Sequence, residues 1–69
     1  MDYGKRIKEL REGLGMTQVE LSNLSGVSQE HISRLENGRH NINTKTADKL
    51  AAALGVRLID LFIDLFEEE

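Results

Sequence analysis

Sixty-nine residues allow one domain at most, near the lower limit for independent folding, so the core must be efficient or completed by a partner. The lack of cysteine excludes disulfides and thiolate metal sites and fits a reducing compartment. The net charge of −3 argues against a polyanionic ligand, but all nine Lys and Arg lie in residues 1–57 with only seven of the twelve acids, so this part carries +2. That balance is mild, and any claim of nucleic-acid binding must rest on a motif.

The N-terminus MDYGKRIKEL has no apolar core segment, so no signal peptide is expected. No apolar run approaches a membrane span, and a cytoplasmic location without membrane contact is expected. Proline, low-complexity linkers and internal repeats are absent, so residues 1–69 read as one domain.

In chain order, Tyr3, Ile7, Leu10 and Leu14 recur at helical spacing and predict a first helix from about Asp2 to Gly13. Asp2 suits its positive end. Lys5, Lys8, Glu9 and Glu12 fill the solvent face, where Glu–Lys pairs add a few tenths of a kcal/mol, roughly. Gly13 and Gly15 break the helix before Met16.

Thr17 then precedes a helical apolar pattern, with Glu20 three residues on. This T-x-x-E spacing is a capping box, each side chain satisfying a backbone N–H of the first turn. The second helix runs to about Ser25, with Leu21 and Leu24 expected inward. Gly26 closes it. Val27 sits in the turn, and Ser28 caps a third helix that carries Ile32 and Leu35 inward and ends near Asn37–Gly38. Two short helices joined so tightly must cross steeply. This is a helix-turn-helix pattern, whose second helix can enter a DNA major groove.

NGRHNIN at 37–43 is a polar loop in which Ile42 should tuck onto the core. Asn43 or Thr44 caps a fourth helix with Ala47, Leu50, Ala51 and Leu54 inside, and Gly55 ends it. In residues 57–69, expected as a terminal helix and acidic tail, the apolar residues form two stripes. Leu58, Leu61, Phe62 and Leu65 make one; Ile59, Ile63 and Phe66 make the other. One small core cannot cover both. One stripe should close the monomer and the other meet a second copy, giving a homodimer interface at Ile59, Ile63 and Phe66.

With the helices placed, the chain resembles the Cro/C1-type (Xre-type) helix-turn-helix domain of phage repressors and small bacterial transcription regulators. The matching stretches are IKELREGLGMTQVEL at 7–21, SGVS at 25–28, ISRLENG at 32–38 and LAAALGV at 50–56, which in order and spacing cover nearly the whole chain. The resemblance implies an all-α, compact five-helix lambda-repressor-like DNA-binding domain, with helices two and three forming the helix-turn-helix. Departures are Ser22 in place of the usual alanine, Ile42 where many members have proline, and the ending after Leu61–Phe62. No second domain for ligand sensing, peptidase activity or self-cleavage is expected.

The resemblance also implies roles. Gln29, Glu30 and Arg34 occupy the base-reading positions, and their chemistry agrees: Gln suits adenine, Arg guanine, and Glu the cytosine amino group. Glu30 is the odd member, because a carboxylate near phosphates costs affinity unless it reads a base or orients Arg34. The plainer reading of all three is solvent-facing helix residues. Gln18, Ser28, Asn37, Arg39, His40 and Asn41 match backbone-contacting positions, which hold register without reading sequence; the alternative there is an ordinary polar loop. Arg11 and Glu36 match a charged pair that ties helix one to the end of helix three.

His31 and His40 stand nine residues apart with no cysteine and no clear third ligand, so no metal or other cofactor is expected. The serines lack triad-like partners and no Gly-rich phosphate loop is present, which gives no support for an enzyme. Two functions remain. The first is a sequence-specific double-stranded DNA-binding regulator, a repressor by resemblance, acting as a homodimer on a near-palindromic operator and nucleoid-associated when bound. The alternative is an antitoxin-like interaction module whose apolar, acidic tail binds a protein antagonist or toxin, with DNA binding secondary.

Overall fold

The computed structural model describes residues 3–38 and 41–62. Four α-helices follow one another: α1 (Tyr3–Gly13), α2 (Gln18–Ser25), α3 (Gln29–Glu36) and α4 (Thr44–Leu54), with a 3-10 turn at Leu58–Leu61 after them. The chain is all-α among the described residues. Where a fifth helix was expected, the described part is this single 3-10 turn; its i to i+3 bonds run from Asp60 N to Arg57 O and from Phe62 N to Ile59 O. Asp2 and residues 63–69 lie outside the described residues.

Local chemistry sets the boundaries. Thr17 Oγ1 accepts from Glu20 N at 3.0 Å, and Glu20 Oε1 accepts from Thr17 N at 2.8 Å, completing the capping box of α2. Gly26 leaves α2 at φ 79°, a left-handed conformation that a side chain would strain. Ser25 Oγ accepts from Val27 N inside the turn, and Ser28 Oγ accepts from His31 N to start α3. Asn43 Oδ1 caps α4 by accepting from Thr46 N at 2.8 Å.

Ile7, Leu21, Ile32, Leu35, Leu50 and Leu61 are fully buried, one or more from every element. Each removes apolar area worth about 1.5–3 kcal/mol before ordering costs. Val27, Ala47, Ala51 and Leu54 complete the core, and Ile42, Leu58 and Phe62 pack against it. α1 lies on α3, α2 on α3 and α4, and the 3-10 turn on α4 and α1.

Leu24, expected inward, faces solvent instead, and so does Leu14, the last apolar residue of the helical pattern. Leu24 is 64% exposed because α2 buries a narrow arc through Leu21, flanked by half-buried Gln18, Ser22 and Ser25. Leu14 is 57% exposed because the chain has already left the helix at Gly13 and turned, with Leu14 N bonded to Arg11 O and Gly15 N to Glu12 O. The helical register that would have aimed it inward has ended.

α1 approaches α3 through Gly4, which is buried. A Cβ at this position would overlap the carbonyl of Leu35, so the approach requires glycine. The contact fixes the end of α3 against the start of α1.

Candidate nucleic-acid interface

An exposed face and a buried clamp behind it make up the site. On the face, Gln29, Glu30 and Arg34 project to solvent from α3, while Ile32 and Leu35 anchor the opposite side. The helical period separates these two sets. Arg34 Nη2 lies 3.6 Å from Glu30 Oε2, one turn earlier. The side chains are 50% and 79% exposed, so water screens the pair and a base edge can compete for either partner. Of the two roles open to Glu30, this geometry suits orienting Arg34.

Behind the face lies the clamp. Arg11 Nε donates to Glu36 Oε2 at 2.7 Å, and Arg11 Nη2 to Glu36 Oε1 at 3.0 Å, a two-point pair. Arg11 Nη1 donates to the Met16 carbonyl at 2.7 Å, and Gln18 Nε2 donates to Glu36 Oε1 at 3.0 Å. The two charged side chains are only 9% and 3% exposed. Bonding to Glu36, opposed by burial, raises the Arg11 pKa above its ordinary value, so the guanidinium stays charged. One network therefore joins α1, the loop before α2, the first residue of α2 and the last of α3. It sets the two helices of the motif against each other.

Gln18 is thus tied to Glu36 through one N–H, leaving its amide a second donor at the positive end of α2. The N–H groups of Gln18 and Val19 belong to the first turn, which has no intrahelical acceptor. These groups can meet an anionic oxygen. The Ser28 oxygen accepts the cap bond of α3, and its hydroxyl keeps a donor. Asn37 is exposed at the C-cap of α3. Asn41 is exposed too, and its Oδ1 accepts from the Tyr3 hydroxyl at 3.3 Å. Arg39 and His40 lie outside the described residues.

Ile59, the described member of the second apolar stripe, is 55% exposed, whereas Leu61 of the first stripe is fully buried. Ile63 and Phe66 lie outside the described residues, as does most of the tail invoked for protein capture. Among the described residues no helix is long and apolar enough to cross a membrane.

Several contributors escaped the reading of the sequence. Arg6 Nε donates to the Asp60 carbonyl at 3.0 Å, pinning the 3-10 turn to α1. Tyr3 binds the loop after α3, and Gly4 gives α3 its close approach. No local pattern marks these residues, because their partners lie more than thirty positions away.

The chain is similar to known proteins over most of its length. A helix-turn-helix family model, HTH_3, matches residues 7–61. An uncharacterized HTH-type transcriptional regulator of Archaeoglobus fulgidus is 44% identical over 64 residues, covering 93% of this chain and 89% of that protein. The immunity repressor protein of Bacillus phage phi105 is 33% identical over 58 residues, which are 84% of this chain and 40% of the repressor. The crystal structure of the restriction-modification controller protein C.AhdI from Aeromonas hydrophila superimposes with a TM-score of 0.85 at 34% identity, covering 88% of this chain and 92% of that one.

Proposed function

The chain belongs to the helix-turn-helix family whose model spans residues 7–61, and from that premise we propose that it is a sequence-specific DNA-binding transcriptional regulator, a repressor in type. One observation carries the reading: α3 exposes Gln29, Glu30 and Arg34 on one face, while the Arg11–Glu36 clamp fixes that helix from behind. A rigid helix with donors along an exposed edge is what a major groove accepts. Its relatives point the same way, for they include transcriptional regulators and a phage repressor.

In this reading Gln29 and Arg34 contact base edges, with Glu30 holding Arg34 in line. Gln18, Ser28, Asn37, Arg39, His40 and Asn41 hold phosphates. The protein acts by binding DNA, in the cytoplasm. It works as a homodimer joined through residues 57–69, with Ile59, Ile63 and Phe66 at the interface. One α3 reads too few base pairs to mark a site, whereas two related by a two-fold axis enter successive major grooves about 34 Å apart.

The test is selection of bound duplexes from a random pool. Recovery of a near-palindrome with half-sites one helical turn apart supports the reading, and recovery of no shared sequence refutes it. In the same selection Arg34→Ala should recover a broader set, degenerate at one position in each half-site.

A further inference from the structure

Tyr3 stands at the first position of α1, far in sequence from the motif, yet its hydroxyl meets the loop that follows α3. The oxygen accepts from Ile42 N at 3.1 Å and donates to Asn41 Oδ1 at 3.3 Å. The ring itself is held: it packs on the core and meets Phe62 edge-on, with centroids 6.0 Å apart and planes at 74°. One turn along α1, the bond from Arg6 to the Asp60 carbonyl fixes the segment carrying Phe62. The phenol is thus a braced post, and among the described residues the loop is tied to it through a backbone N–H and a side chain.

The side-chain bond has a chemical consequence. A carboxamide has an acceptor end and a donor end, and an exposed one turns freely between them. The Tyr3 hydroxyl donates to Oδ1, so the oxygen of Asn41 faces the phenol. The two N–H groups on Nδ2 are then at the opposite end of the amide, on an exposed residue. That orientation suits a phosphate oxygen, which accepts hydrogen bonds and repels a carbonyl oxygen.

We infer that Tyr3 is a positioning residue for DNA: it locks the Asn41 amide with its donor end outward, toward a backbone phosphate. The inference rests on the DNA-binding reading above and adds to it a residue from outside the helix-turn-helix. Tyr3 makes no base contact, so its effect falls on every DNA sequence alike. The contact it prepares is made by a neutral amide, so its loss leaves the number of neutralised phosphates unchanged.

The experiment compares the full-length wild type with Tyr3→Phe, Asn41→Ala and the double variant, by titration onto the selected site and a scrambled duplex over a series of salt concentrations. Phenylalanine keeps the ring on Phe62 and removes only the hydroxyl. Tyr3→Phe should weaken both duplexes by about ten- to hundredfold, the scale of a hydrogen bond to a charged group. The ratio between duplexes and the slope of log K against log salt should stay as in wild type. Asn41→Ala should lose a similar factor, and the double variant no more than either single, because both break one contact. Thermal unfolding of each variant accompanies the titration, so that affinity is compared among folded proteins.

Wild-type affinity in Tyr3→Phe would overturn the positioning role. So would additive losses, which would mean that Tyr3 and Asn41 touch DNA separately. A shallower salt slope would also overturn it, by placing the lost contact on a cationic group. A wild type that binds neither duplex at any salt overturns the DNA-binding reading itself, an outcome distinct from the other three.

Discussion

Arg11 uses its whole guanidinium edge in holding Glu36 and the Met16 carbonyl. Both charges are nearly dry, so each depends on the other. Among the described residues, removing Arg11 leaves the carboxylate with the Gln18 amide, and removing Glu36 leaves a buried cation facing a carbonyl and, at 3.8 Å, the exposed Glu12 carboxylate. Arg11→Met or Glu36→Leu alone should therefore cost about 3–5 kcal/mol, and the two together less than either single change. Since domains are stable by only about 0.1 kcal/mol per residue, each single loss is a large part of the total. Urea unfolding of the four proteins measures the coupling; additive losses would show that the pair contributes no joint stability.

The same scale shows which residues could be read in advance. Thr17 and Glu20 announced themselves because a capping box is a local arrangement, complete within four residues. Gln29, Glu30 and Arg34 could be assigned to an outer face because the period of α3 separates them from Ile32 and Leu35. Leu24 misled because the buried arc of an eight-residue helix is chosen by its neighbours, here α3 and α4, and not by its own leucines. Tyr3 gave no sign, since the use of its hydroxyl depends on a loop 38 and 39 residues away.

At the scale of elements, stability turns on how α1 and the 3-10 turn hold the motif in place. Gly4→Ala improves helix propensity by about 0.8–1 kcal/mol, yet it drives a methyl group into the Leu35 carbonyl. Backbone yields less readily than a side chain, so the clash should win, with a net loss of about 1–3 kcal/mol. A lower melting temperature in Gly4→Ala is the expected result; an unchanged or higher one would mean that the helices separate at little cost.

The 3-10 turn depends on Asp60. Its carboxylate accepts from the Arg57 backbone at 2.9 Å and from the Arg57 guanidinium at 3.3 and 3.4 Å. The side-chain bond and then the backbone bond hold its pKa below the ordinary 3.8. A carboxyl lowered on folding stabilises above its unfolded pKa and loses that contribution as pH falls through the folded value. The stability advantage of wild type over Asp60→Asn should thus be constant at neutral pH and shrink below about pH 3.8. Thermal melts of both proteins across pH provide the check; an advantage that persists in acid would remove the carboxylate as its source.

For the whole molecule, the charge pattern and the fold point in one direction. The acids that make the protein net negative are concentrated toward the C-terminus, while the first 57 residues carry +2. The reading face belongs to that basic part, in the span of the family match. A weak positive balance limits non-specific affinity, so discrimination must come from base contacts and from doubling the reader. In the proposed function the exposed face of α3 makes the base contacts and the exposed Ile59 joins the two copies.

The central claim is sequence-specific recognition of double-stranded DNA, and the most direct measurement is the ratio of affinities for the selected near-palindrome and a scrambled duplex at physiological salt. The account predicts a ratio of about a thousand or more, with both affinities falling as salt rises. Equal affinities for the two duplexes would contradict it.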